Sequence, residues 1–136
     1  MDRETVLKHI RSETNGFIDH NGIRVVDVDE DKSVLAAEVT DFSRNVWGNV
    51  HGGFLCTMAD TAAGVFLWAK YGYRNVTLSG SISYLRSTAG AQKITAICRE
   101  INIGRSIGFL EVDLEREENI LVARVRFNMY LFNGTH

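Results

Sequence analysis

NVWGNVHGGFLCTMADTAAGVFLWA, residues 45–69, is the stretch on which the reading of the chain turns. Its core predicts a helix opened by His51-Gly52-Gly53 and running to about Lys70. Leu55, Met58, Ala59, Ala62, Val65, Phe66 and Ala69 recur at the i, i+3, i+4 spacing of one helical face. Ala63, Gly64 and Leu67 occupy the other side, and only Thr57, Asp60 and Thr61 interrupt the apolar surface. A helix apolar almost all round is expected to be buried. From Gly53 to Ala69 the single residue able to carry a charge is Asp60. Burying a carboxylate costs several kcal/mol unless it is paired or hydrogen-bonded, so Asp60 needs a reason to be there.

The glycines give a second clue. The first turn of a helix presents unpaired backbone N–H groups and the positive end of the macrodipole. Two glycines there clear the way for a ligand oxygen to approach those groups. An N–H pair aimed at a developing oxyanion, with a carboxylate two turns further on, suits acyl transfer. The plainer reading is a tight loop-to-helix junction with Asp60 paired to an arginine elsewhere. Spacing alone leaves both open.

Asn45-x-x-Gly48-x-x-His51-Gly52-Gly53 followed by Asp60 resembles the signature of hotdog-fold acyl-CoA thioesterases of the phenylacetate-degradation (PaaI-like) type. Val76-Thr77, Ser83-Tyr84-Leu85-Arg86 and Gly104-Arg105 agree with it in order and spacing, over roughly residues 16–131. One departure is Ser87, where the family often has proline after the arginine.

The remaining chain fits this frame. At 136 residues one domain is expected over 1–136, with an N-terminal helix over 1–15 and a core over 16–132. A hydrophobic content of 45%, a charged content of 24% and a net charge of −2 give no sign of a nucleic-acid or anionic-membrane partner. Cys56 and Cys98 lack metal-site or redox spacing and read as reduced core thiols. The charged start, MDRETVLKHIRSE, lacks a signal-peptide apolar region, and Thr61–Ala69 is too short an uncharged run to span a membrane. A cytoplasmic location is expected.

Val6, Leu7 and Ile10 make a narrow stripe on the first helix, stopped by Asn15-Gly16. Phe17 and Ile18 are placed to dock it, with a pocket-lining role also open. Residues 23–29 and 33–39 flank Glu30-Asp31-Lys32 as a hairpin. The acidic cluster there lacks the glycine and terminal glutamate of a calcium loop and reads as a solvated turn. Tyr71-Gly72 ends the central helix. Strands are expected over 76–86, 92–103, 105–115 and 120–131, with Glu117-Glu118-Asn119 as the last turn. On the final strand Leu121, Ala123, Val125, Phe127, Met129 and Leu131 share one face, and Val122, Arg124, Arg126, Asn128 and Tyr130 the other. The expected class is α+β: a curled antiparallel sheet of about six strands wrapped around one long helix.

The resemblance implies hydrolysis of an acyl-coenzyme A thioester to free acid and coenzyme A, with no cofactor beyond the coenzyme A of the substrate. Asp60 would act as general base or nucleophile, and the Gly52 N–H would polarise the carbonyl. Asn45 would orient the water or the carbonyl, and Thr77 would assist. His51 either orders the loop by hydrogen bonding or takes part directly. Substrate contacts would come from Gly53, Tyr84, Gly104 and Ser106, and from Arg86 and Arg105 as phosphate partners at the pocket mouth. Phe17, Leu55, Phe66, Trp68 and Tyr84 are candidates for an acyl tunnel. Family members build each site from two subunits, so a homodimer is implied, with pairing into a tetramer. Rival readings are a hotdog dehydratase, a non-catalytic acyl-CoA-binding module and a dimeric scaffold.

Overall fold

A computed structural model describes residues 2–12 and 16–132. Two short helices come first, α1 (Arg3–Ser12) and α2 (Gly16–His20), then strands β1 (Ile23–Val28) and β2 (Ser33–Glu38). The long helix α3 (Gly52–Tyr71) follows, and four strands complete the chain: β3 (Arg74–Tyr84), β4 (Lys93–Ile103), β5 (Ile107–Arg116) and β6 (Ile120–Phe132). The six strands form one antiparallel sheet in the order β1-β2-β4-β5-β6-β3. This is the hotdog arrangement that the resemblance implied. α2 had no sequence signal, because five residues are too few to show a period. Asn15, expected to stop the first helix, lies outside the described residues.

α3 sits where its composition sends it. Leu55, Met58, Ala59, Ala62, Ala63, Phe66 and Leu67 are buried against the sheet, and the Ser33 hydroxyl on β2 donates to the Ala62 carbonyl at 2.7 Å. By length and composition α3 resembles a membrane span, yet it is the core helix of this sheet. Gly72 closes it at φ +72°, its N–H donating to the Trp68 carbonyl at 2.9 Å. Only glycine takes that left-handed conformation without steric cost.

The expectation of a helix buried on every side is corrected. Gly53 and Asp60 are exposed, and Cys56, Thr57, Thr61, Gly64, Val65 and Trp68 are only partly buried. The sheet covers one side of α3, and α1 reaches Val65, Trp68 and Ala69 from another. A stripe through Asp60 stays open.

Strand boundaries fall within about two residues of expectation. The inward set on β6 holds from Ala123 to Leu131, but Val122, expected to face outward, is buried. The β5–β6 register slips between Leu114 and Glu115, so a bulge turns Val122 inward while its carbonyl takes the Leu85 N–H at 2.8 Å. Asp29 accepts from the Asp31 and Lys32 amides at 2.8 and 2.9 Å, so the β1–β2 acidic cluster is a self-capped turn. The outer edge of β1 is masked by Arg11, which donates to the Val25 and Val26 carbonyls at 2.9 and 3.2 Å. β3 has a partner on one side only, β6, and carries Val76 and Leu78 about half exposed.

Candidate active site

The loop before α3 is tied down from several directions. Arg44 donates to the Gly48 carbonyl at 3.0 Å and to the Ala91 carbonyl at 2.8 Å. The Asn45 side-chain oxygen accepts from the Trp47 and Asn49 amides at 2.9 and 3.1 Å. Asn49 in turn accepts from the Ser87 hydroxyl and the Thr88 amide, each at 3.0 Å, and the buried Thr88 hydroxyl takes the Val50 N–H at 2.8 Å. His51 N–H donates to the Ser43 carbonyl at 2.7 Å. The loop thus delivers the start of α3 in one orientation.

There His51 is the N-cap, its Nδ1 accepting the Gly53 N–H at 2.9 Å. That bond consumes one first-turn amide and assigns the neutral imidazole proton to Nε2. The Gly52 N–H has no intrahelical acceptor and finds none elsewhere among the described residues. Of the two glycine amides, Gly52 keeps the free donor.

Two turns on, Asp60 accepts a 2.5 Å hydrogen bond from the Thr77 hydroxyl of β3. Thr77 also touches the Met129 sulfur at 3.3 Å. Asp60, expected on a buried helix and facing a substrate slot, is exposed and opens onto a cleft of about 540 Å³ shared with Gly53, Cys56, Thr57, Thr77 and Phe127. Cys56, expected in the core, therefore lines the site, while Cys98 is fully buried as expected. Desolvation first, and the nearby Asp60 charge second, raise the Cys56 thiol above its ordinary value. It stays protonated near neutrality and offers no thiolate. A larger cavity of about 690 Å³ begins one residue along the helix, at Thr61, between α3, α2 and β1. Its wall combines Ile10, Ile18, Ile23, Val65 and Trp68 with the charged Arg11, Asp19, Arg24 and Lys93.

The other predicted residues are divided. Ile18 and Trp68 line that larger cavity, Leu55 and Phe66 are core, and Phe17 is exposed. Tyr84 packs directly on Gly52. Arg86 and Arg105 are not at one mouth within the chain. Arg86 donates to the Leu121 carbonyl at 2.9 Å, whereas Gly104, Arg105 and Ser106 form the β4–β5 turn, where the Ser106 carbonyl accepts from Leu131 at 2.8 Å. Leu121 and Leu131 stand at opposite ends of β6, roughly 33 Å apart at strand rise. Strand-end arginines look alike in a sequence; register separates them.

Sequence reasoning missed Cys56 and Thr57 as cleft walls, although both share the helical face of Asp60 at the i+3, i+4 spacing. It also missed Arg44, Asn49 and Thr88 as the clamps of the loop, and no local pattern marks such bonds.

Residues 48–123 match the family described as the thioesterase superfamily. The chain belongs to that family. It is 28% identical to the acyl-coenzyme A thioesterase PaaI of Escherichia coli K12, covering 84% of this chain and 81% of PaaI. The structure of the E. coli PaaI protein superposes with a TM-score of 0.84 at 25% identity, covering 94% of this chain and 92% of that one. A Streptococcus pneumoniae TIGR4 hypothetical thioesterase solved with coenzyme A gives a TM-score of 0.76 at 27% identity, covering 82% and 86%. A Streptococcus mutans UA159 protein bound to acetyl CoA gives 0.80 at 25% identity, covering 90% and 95%. The protein is a thioester hydrolase with a hotdog fold of the PaaI-like type.

Proposed function

We propose that this protein hydrolyses an acyl-coenzyme A thioester to the free acid and coenzyme A, at sites shared between two copies of the chain. The observation that carries the reading is the Asp60 carboxylate, held by Thr77 at 2.5 Å in an open cleft, on the helix whose first amide is free. Asp60 takes the proton of an attacking water, or attacks the carbonyl itself. Gly52 N–H donates to the carbonyl oxygen as negative charge grows there. The C–S bond then breaks, and the coenzyme A thiolate leaves and takes up a proton. Asn45 orients the water or carbonyl through its amide N–H groups, since its oxygen is spent on the loop. No cofactor is required, and the cytoplasm is the expected place of work.

Helix geometry supports the shared site. Gly52 and Asp60 lie eight residues apart on α3, about 12 Å at 1.5 Å per residue. Both cannot touch one carbonyl. A second copy related by a two-fold axis sets the Gly52 of one chain against the Asp60 of the other, and it covers the open stripe of α3. Such an axis also brings the Arg105 end of one chain toward the Arg86 end of its mate. The free edge of β3, bearing Val76 and Leu78, is the place for two sheets to join.

The test is release of free thiol from a panel of short, long and aromatic acyl-CoA thioesters, followed with a chromogenic thiol reagent. Asp60→Ala is expected to abolish release while leaving a folded protein; undiminished turnover would sink the mechanism. Acyl-CoA binding without turnover by the unaltered protein would instead identify a binding module. A single turnover in ¹⁸O-water distinguishes the two roles of Asp60. Direct water attack puts all the label in the product acid, whereas label in Asp60 marks a covalent anhydride opened at the aspartyl carbonyl.

A further inference from the structure

Tyr84 is the last residue of β3, and its side chain reaches back across the start of α3. A Cβ placed on Gly52 would lie 2.7 Å from the Tyr84 Oη, 2.9 Å from Cζ and 3.1 Å from Cε1. Only a glycine leaves room for that contact. Cα–Cβ bonds in a helix tilt toward the N-terminus, and first-turn N–H groups point the same way. The phenol oxygen stands where a Gly52 side chain would project, beside the residue that carries the free amide. Atoms bonded to one Cα are about 2.5 Å apart, so Oη is within about 5 Å of the Gly52 nitrogen. An oxygen placed between two donors at that separation accepts from both at ordinary lengths of about 2.9 Å.

The hydroxyl has no partner among the described residues, and Tyr84 is 57% exposed, with its ring edge and Oη against Gly52. Burial first, and the Cys56 thiol second, raise it above the ordinary phenol range, so the O–H proton is in place near neutrality. The geometry points to Tyr84 as a further catalytic residue, whose O–H donates to the thioester carbonyl oxygen beside the Gly52 N–H and completes a two-donor oxyanion site. This rests on the thioesterase reading and deepens it. The glycine then has two duties: it supplies one donor and makes way for the other.

The experiment compares Tyr84→Phe with the unaltered protein and with Asp60→Ala on the best acyl-CoA of the panel. Phenylalanine keeps the ring against Gly52, and an unchanged thermal melt verifies the fold. The expected result is a kcat lower by about 100-fold with KM little changed. Gly52→Ala, which retains the amide but collides with the tyrosine, should lose a similar factor. The double variant should be little worse than either single one, because both remove the same donor. A Tyr84→Phe kcat within threefold of the unaltered protein overturns the assignment, while an inactive Asp60→Ala in the same assay leaves the thioesterase reading standing. A second readout does not depend on turnover. An inert ketone analogue of the acyl-CoA, methylene replacing sulfur, should show a carbonyl stretch lowered on binding, and less so in Tyr84→Phe. Equal stretches in the two proteins, or no binding of the ketone, overturn the proposal.

Discussion

At the scale of single residues, the contact between Thr77 and Asp60 is the most informative in the molecule. A hydrogen bond to a charged group contributes about 1.5–3 kcal/mol, and a carboxylate aimed by one loses rate when released. Thr77→Val keeps the β-branched shape in the strand and places a methyl group beside the Met129 sulfur. We expect kcat to fall by about 10- to 100-fold and the thermal midpoint to drop by a few degrees; steady-state kinetics beside a thermal melt checks both. Asp60 itself was legible in the sequence, because one charge in seventeen residues of a greasy helix stands out. Its setting was not. An apolar stripe reads the same whether its own sheet or a second chain covers it, so the carboxylate looked interior and stands open. Tyr84 was visible as a candidate, but its seat on Gly52 joins positions 32 apart in sequence, and no spacing rule reports such a contact.

Among elements, the end of α3 depends on a charge. Glu100 on β4 accepts from Lys70 Nζ at 2.6 Å and from the Tyr71 hydroxyl at 2.7 Å. Burial alone would raise the Glu100 carboxyl, but its bonds to Lys70 and Tyr71 outweigh that and hold it below the usual range. A carboxyl lowered in the folded state stabilises the fold fully above its unfolded value. That contribution fades as the pH falls through the folded one. Glu100→Gln keeps an acceptor and removes the charge. It should cost roughly 1 kcal/mol at pH 7, a few degrees in thermal midpoint, and the gap should narrow as the pH falls below the ordinary carboxylate range. Melting curves of both proteins from pH 7 to pH 3 test the sign; a gap that widens in acid contradicts it. The elements were largely legible because alternation on β4, β5 and β6 follows burial by one sheet face. What escaped was local: a bulge that turns Val122 inward and a five-residue helix too short for a period.

The largest scale is that of two chains, proposed to reconcile the separation of Arg86 from Arg105 and of Gly52 from Asp60. Each site, on this reading, takes Gly52 from one copy and Asp60 from the other, and mixing two dead variants tests that directly. Asp60→Ala removes the carboxylate. Gly52→Pro removes the amide proton at the first helical position, which proline favours, and its Cβ also displaces Tyr84 of the same chain. The preceding His51, at φ −58° and ψ 133°, already has the extended backbone that proline requires of its neighbour. Each variant alone is expected to be inactive and dimeric. In a heterodimer, one site inherits both lesions and the other neither. Random reassortment of equal amounts makes half the dimers mixed, each with one working site of two, so activity should return to about a quarter of the unaltered protein's value. Unfolding, mixing and refolding the pair, with the mixed dimer verified by native mass spectrometry, carries out the test. A verified heterodimer without activity would mean that both groups serve a carbonyl from within one chain, which 12 Å of rigid helix forbids, or that one of them takes no part in the reaction.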